Sequence, residues 1–394
     1  MKRKQLWIFM VCYFGYTAIY IARLNLSMAA PAMKELGILS PAQLGLLGSV
    51  FSVIYALGRL VNGSLGDTCI PWKMICLGLG LVTVSNLLFS LFPPFWGLLI
   101  LWGGNAYAQS MMWSSVLCVL AATFSEAEAK RITPYMGTAV AAGNVLGIVV
   151  NSALINAYGL RWAFVIPGGI TLLGGMLTLL SLREVPAGGN GEEKPSPFRV
   201  LRLVKEPEIR MAALPAALHG VIKENITLWM TVYFVDRFGV DLEASADFVL
   251  LIPLVGLGGR LCYGPLLRWC RGEEHRVSQR AFLACVLGAV VLYAADRPVV
   301  AMICLSLLYA AISVINTSFL SVYPLHFRRE GSIASVSGFM DFCTYLGGGI
   351  SSSLYGLMNQ NGKYDGMFLT WAVISVLCVF AMGRLRKSGE KEGR

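Results

Sequence analysis

The sequence predicts an all-α polytopic membrane protein: twelve transmembrane helices in two six-helix halves, with both termini cytoplasmic. Three observations carry that expectation. The apolar runs are long and continuous, Lys and Arg are distributed unevenly between the connections, and a charged stretch interrupts the chain after the sixth run. The 394 residues are 56% hydrophobic and 14% charged, with a mean hydropathy of +0.65. Soluble domains run at about 25% charged. A helical span needs about 20 apolar residues, whereas membrane barrels show short alternating segments. The runs here are of the helical kind.

In chain order the spans fall near 5–32, 42–65, 73–92, 95–122, 133–158, 162–182, 209–235, 243–267, 279–296, 298–322, 331–358 and 365–385. With the N-terminus inside, 23 of the 32 Lys and Arg lie on the cytoplasmic side. Five (Lys34, Arg161, Arg237, Arg297 and Lys363) lie outside, and Arg23, Arg59, Lys223 and Arg260 lie within spans. This is the positive-inside asymmetry, and it sets the orientation. The net charge of +10 therefore reports topology rather than nucleic-acid binding.

The first span follows Met1-Lys2-Arg3-Lys4, as a signal peptide would. It is too long for one, contains Arg23 and has no clear small-residue cleavage site, so it is expected to be retained. Within it, Tyr13, Tyr16, Tyr20 and Arg23 recur at i, i+3, i+7 and i+10, so three phenols and one guanidinium share a stripe. A charge near the bilayer centre costs about 2.5–3.5 kcal/mol on insertion scales. Such a stripe is expected to line a water-filled path whose cargo is an anion.

In the second span Arg59 lies near the cytoplasmic end, where it either snorkels or reaches the path, and Arg260 is its counterpart in the second half. On the fourth span Gln109 and Trp113 are one turn apart, as a polar cavity rim or a packing face would be. After the sixth span, residues 183–208 (REVPAGGNGEEKPSPFRVLRLVKEPE) read as a cytoplasmic linker between an N-terminal bundle, 1–182, and a C-terminal bundle, 209–394.

The seventh span contains His219, Lys223 and Glu224. Lys223 lies about 14 residues in from the cytoplasmic side, against about 18 for Arg23, or roughly 27 Å at 1.5 Å per residue. Two cations facing one cavity repel until an anion lies between them. Glu224 either neutralises Lys223 or carries a coupling proton, and His219, one turn earlier, is a candidate ligand for the same cargo. Asp341 in the eleventh span is open to the roles of proton relay and salt bridge.

An offset of 201 residues relates Gly58-Arg59-Leu60 to Gly259-Arg260-Leu261, Gly137 to Gly338, Gly147 to Gly348, and Arg23 to Glu224. Repetition at this period points to two halves from one duplicated unit, with a site between them near the midplane. The glycines of the fifth and eleventh spans also suit close helix packing.

The ten cysteines form no CxxC pair and no exterior pair, so neither a disulfide framework nor a zinc site is expected, and they read as packing residues. Gly58-x-x-x-x-Gly63-Ser64 lacks the Lys of a phosphate-binding loop. No nucleophile–base pattern or cofactor motif appears, so the chain is not expected to be an enzyme.

Residues 13–31, YFGYTAIYIARLNLSMAAP, resemble the first helix of the organophosphate:phosphate antiporter family within the major facilitator superfamily. That family includes bacterial glycerol-phosphate and hexose-phosphate exchangers and a related sugar-phosphate sensor. The similarity extends through Gln109-Ser-Met111-Met-Trp113, which looks like the family's Q-x-M-x-W, and Phe124-Ser125 with Glu128, to Thr344–Gly349, TYLGGG.

The resemblance implies that Arg23 takes the place of the first-helix substrate arginine and Lys223 that of the seventh-helix arginine. Tyr16, Tyr20 and Trp113 would shape the cavity. Arg59 falls where some members have a lysine. Of the superfamily's G-x-x-x-D-R/K loop motif, Gly63 and Asp67 remain while Thr68 replaces the basic residue, and Asp67 would cap or latch helix ends at a cytoplasmic gate.

Gly143 stands where glycerol-phosphate exchangers have a histidine, Leu24 replaces a basic residue, and Glu224 and Asp341 are added acids. The expected activity is secondary transport of a sugar phosphate or organophosphate in exchange for inorganic phosphate. A proton-coupled symporter of a carboxylate or sugar acid is the alternative, and a membrane sensor the third reading. The bacterial inner membrane is the expected location, and a monomer suffices because one chain contains both halves.

Overall fold

A computed structural model of the chain describes residues 2–185, 203–240, 242–358 and 364–392. Most of the predicted linker, residues 186–202, lies outside the described residues. The described residues are helical throughout, without a strand, and form twelve rods at the twelve predicted spans.

The first eight helices are α1 (Arg3–Glu35), α2 (Pro41–Gly66), α3 (Pro71–Phe89), α4 (Phe95–Ser110), α5 (Met112–Thr123), α6 (Glu126–Met136), α7 (Thr138–Tyr158) and α8 (Trp162–Ser181). The remaining six are α9 (Pro207–Phe238), α10 (Leu242–Trp269), α11 (Glu274–Tyr293), α12 (Pro298–Thr317), α13 (Ile333–Met358) and α14 (Asp365–Glu392). The pairs α4–α5 and α6–α7 each make one interrupted rod. Eight rods are long and apolar enough to cross a membrane on those criteria alone. The other four are the broken α4–α5 pair and the polar-residue-bearing α9, α10 and α13.

Local sequence explains the ends and the breaks. Ser40 and Gln43 form a capping box at α2, as Ser125 and Glu128 do at α6, and each satisfies helix-end N–H groups. Proline occupies the first turn of α2, α3, α9 and α12, where its missing N–H costs nothing. Gly239 ends α9 at φ 62°, in the left-handed region.

The fourth rod breaks at Met111, where the Ser110 hydroxyl donates to the Tyr107 carbonyl and Met111 N–H tightens onto Ala108. The fifth breaks at Gly137, three residues after Pro134. After α12 the helix widens into a π turn, Ser318–Val322, and then a 3-10 segment, Tyr323–Arg328, around Pro324.

The contacts gather into two compact units. The first runs from the N-terminus through α8 and takes in Pro324–Phe339; the second holds α9 to Tyr323 and Met340 through α14. In the first unit, α5 is the central element, with every residue from Met112 to Ala121 buried. Its neighbours Tyr16, Ile19, Ile75 and Leu79 make one core cluster. A second cluster lies towards the far ends of the helices, where the Phe89 ring stacks on Phe164 at 4.7 Å and tilts against Trp102 at 5.5 Å. Leu77, Val84, Leu88 and many similar side chains are exposed on the outside, as a lipid-facing surface requires.

Candidate functional site

In the first unit the stripe on α1 meets α2, α4 and α5. Arg23 is half-buried, and its Nε donates to Gln109 Oε1 at 2.7 Å. Gln109 in turn donates from Nε2 to Asn105 Oδ1 at 3.1 Å, which fixes the amide. The guanidinium carbon lies 4.5 Å from the Tyr55 ring centre, 4.8 Å from Tyr20 and 5.1 Å from Phe51. Partly desolvated cation–π contacts are worth about 0.5–2 kcal/mol each. Ring faces and the Gln109 amide thus help hold a charge that would be costly in hydrocarbon.

The Tyr16 ring packs 5.1 Å from Trp113 and edge-on to Tyr20 at 5.5 Å. The structure thus brings together Arg23, Tyr16, Tyr20, Gln109 and Trp113. It adds Phe51, Tyr55 and Asn105, whose signal in the sequence is their i, i+4 spacing: Phe51 with Tyr55 on α2 and Asn105 with Gln109 on α4. Tyr13 turns away to α7, where its hydroxyl is 3.0 Å from Thr138 Oγ1.

Arg59 is one turn below Tyr55 and 1% exposed, with Nη1 3.4 Å from the Ser110 carbonyl. It lies inside the protein rather than at a headgroup. Asp67 is also buried. Its Oδ1 accepts from the Ala334 N–H at 2.7 Å and its Oδ2 from the Ser335 N–H at 3.0 Å, so this carboxylate caps the start of α13. Arg328 Nη1 donates to the Phe124 carbonyl at 3.0 Å and fastens the same segment. A side chain at Gly63 would meet the Ala334 carbonyl at 2.8 Å and Gly338 Cα at 2.9 Å, so glycine on both helices permits this contact.

In the second unit, Lys223 Nζ is 2.9 Å from Glu224 Oε1 and 5.2 Å from the Tyr345 ring centre. Although adjacent helical residues point about 100° apart, these two long side chains close into a pair. Asp341 is 4% exposed and, with Tyr309, lies within electrostatic reach of Lys223. His219 is fully buried against the backbone of Ile312 and Ala216.

The packing pairs of the two units correspond. On α1, Leu24 and Ile21 pack on Gly147 of α7, and Tyr20 and Thr17 on Gly143. On α9, Glu224 and Gly220 pack on Gly348 of α13, Gly220 faces the Thr344 carbonyl, and Ala217 faces Gly347. An additional polar contact joins Asn225 Nδ2 to Ser351 Oγ at 2.8 Å. Aligned on the Leu24–Gly147 and Glu224–Gly348 contacts, Glu224 is the counterpart of Leu24, and the register then sets Lys223 against Arg23. The 201-residue offset read from the glycines thus becomes 200 between α1 and α9.

The ten cysteines are all free, and no group of three or more metal-ligating side chains gathers among the described residues.

A family model described as Major Facilitator Superfamily matches residues 12–352. The membrane sensor protein UhpC of Escherichia coli (strain K12) is 25% identical over 279 residues, covering 65% of this chain and 63% of that protein. The match therefore spans less than two thirds of the sensor's length. The glycerol-3-phosphate transporter of Bacillus subtilis (strain 168) is 22% identical over 428 residues, covering 99% of this chain and 94% of that protein. Among solved structures, the Major Facilitator Superfamily transporter FucP in its outward conformation superposes with a TM-score of 0.81 at 18% identity, over 97% of this chain and 99% of that one.

Proposed function

The chain belongs to the Major Facilitator Superfamily, and from that premise we propose that it is a secondary transporter of an organic anion. It is a multi-pass membrane protein, and its bacterial relatives point to the inner membrane. The favoured cargo is a sugar phosphate or organophosphate, in keeping with the name of one relative, a glycerol-3-phosphate transporter, and in this proposal it is exchanged for inorganic phosphate by alternating access.

The observation that supports this reading best is the setting of Arg23. Gln109 and three ring faces fix the plane of its guanidinium inside a membrane unit. A planar fork held in advance suits phosphate or carboxylate oxygens, and less ordering entropy is lost when it binds them. In this reading Arg23 of the first unit and Lys223 of the second each contribute a cation, Tyr16, Tyr20, Trp113 and Gln109 shape the first, and Asp67 and Arg59 serve the gate. One chain holding both units works as a monomer.

A second reading is favoured by Glu224 and Asp341. Glu224 pairs with Lys223 at 2.9 Å and Asp341 lies within electrostatic reach, an acidic setting that disfavours a dianion there. Protonating Glu224 would release Lys223 to the cargo and couple anion binding to proton uptake. The cargo would then be a monoanionic carboxylate or sugar acid moved by proton symport. His219, enclosed by α9 and α12, serves this reading as packing beneath Lys223 rather than as a direct ligand.

The test is counterflow in proteoliposomes loaded with unlabelled phosphate and given labelled phosphate outside, with and without a proton gradient. Gradient-independent exchange inhibited by sugar phosphates is the expected result. Absence of phosphate exchange, with gradient-driven uptake of sugar acids, would replace antiport by symport. Binding of sugar phosphate without flux would instead make the protein a sensor.

A further inference from the structure

The cytoplasmic ends of α10, α11 and α14 carry a feature that anion transport does not use. Arg280 and Arg384 are both exposed, and each stands at the end of a lipid-facing row. On α11, Arg280 is followed at i+3 and i+7 by Leu283 and Leu287, which are 52% and 63% exposed. On α14, Phe380, one turn before Arg384, is 68% exposed. The apolar sides of both helices therefore end in a guanidinium at the level where acyl chains give way to headgroups.

The two helices are joined at this level. Gln279 Nε2 donates to the Val379 carbonyl at 3.1 Å, and a side chain at Gly383 would meet the same Nε2 at 3.3 Å. Gln279 is the immediate neighbour of Arg280, and Gly383 that of Arg384. Arg280 is also held in place. Its guanidinium carbon lies 3.8 Å from the centre of the Trp269 ring, and its Nη1 is 3.4 Å from Cys270 Sγ. Trp269 is itself 67% exposed, as interfacial tryptophans are. The nearby acid Glu273 is occupied by Arg276 at 2.6 Å and His275 at 2.9 Å. Among the described residues no carboxylate pairs with Arg280 or Arg384.

We propose that Arg280, oriented by Trp269, and Arg384 form a binding site for the phosphate of an anionic phospholipid of the cytoplasmic leaflet. Its acyl chains would lie along the Leu283–Leu287 and Phe380 faces. An ordinary snorkelling arginine needs no aromatic platform. Here the ring fixes one fork, the α11–α14 joint sets a second cation beside it, and the apolar faces accept the tails.

The test is native mass spectrometry of detergent-purified protein given phosphatidylglycerol and phosphatidylcholine in equal amounts. The zwitterionic lipid carries the same phosphate with a compensating charge. Near a membrane each basic side chain contributes about fivefold in affinity for anionic lipid, so wild type should retain phosphatidylglycerol in clear excess. Arg280→Gln with Arg384→Gln should retain the two lipids equally. Trp269→Leu, which keeps both charges, should lower the preference part of the way and provides a readout if the double variant fails to fold. Equal retention by wild type would overturn the site, as would a preference that survives in the variants.

Discussion

Arg23 and Lys223 occupy matching places on α1 and α9 but are held differently. Arg23 meets the rings of Tyr20, Phe51 and Tyr55 and the Gln109 amide, whereas Lys223 meets the Glu224 carboxylate. A ring face keeps the cation's charge available to an incoming anion; a carboxylate offsets it. The first cation should therefore account for most of the recognition, through geometry as well as charge. Arg23→Lys keeps the charge and loses the planar fork. The expected loss is about 1.5–3 kcal/mol, the worth of a hydrogen bond to a charged group, or roughly 10- to 100-fold in cargo affinity. Binding to purified protein measures it, and an unchanged affinity for Arg23→Lys would show that shape recognition lies elsewhere.

Between helices, glycine decides how near the backbones come. Gly143 and Gly147 bring α7 against α1, and Gly220, Gly347 and Gly348 bring α13 against α9. The histidine that glycerol-phosphate exchangers have at the place of Gly143 cannot be restored here by substitution alone. Even a Cβ at 143 would lie 2.8 Å from the Thr17 carbonyl and closer still to Tyr20. Gly143→Ala should destabilise by about 1–3 kcal/mol, the usual cost of overpacking, and by displacing Tyr20 should also disturb Arg23. Gly80→Ala on α3 meets nothing within 4 Å and should be neutral or slightly stabilising. Thermal denaturation of the two variants in detergent gives the comparison. Equal midpoints would mean that the α1–α7 contact is looser than its geometry indicates.

The proposed carrier binds one cargo through both cations. If it does, the effects of removing the two cations are coupled. Arg23→Gln and Lys223→Gln, alone and together, form a double-mutant cycle on cargo affinity. Groups acting through a shared ligand are expected to differ from additivity by about 0.5–3 kcal/mol. Strict additivity would mean that the two cations do not serve the same molecule, and would leave Lys223 as a structural partner of Glu224.

Hydropathy, read along the chain, was enough to place all twelve rods, and the Lys and Arg asymmetry carries the expected orientation. A bilayer leaves the backbone only helix or closed barrel, long continuous apolar runs select the helix, and the bilayer sorts Lys and Arg by side. The cost of burying charge is what marks Arg23 and Lys223 as candidates. Hydropathy did not show the interruptions at Ser110, Pro134 and Pro324, because these depend on local hydrogen bonding and on proline rather than on apolar length.

Partnership between distant segments was not legible. Phe51 and Tyr55 join the site only once α2 is placed beside Arg23, and His219, a candidate ligand by its spacing from Lys223, lies buried against α12. The offset that paired Arg23 with Glu224 was one residue out, since glycines in α7 and α13 mark the spacing of those helices and not of α1 and α9. Periodicity along one chain reports the face a residue occupies, but the neighbour at that face is set by how helices pack. That packing made Glu224 the counterpart of Leu24 and left Lys223 opposite the role of Arg23.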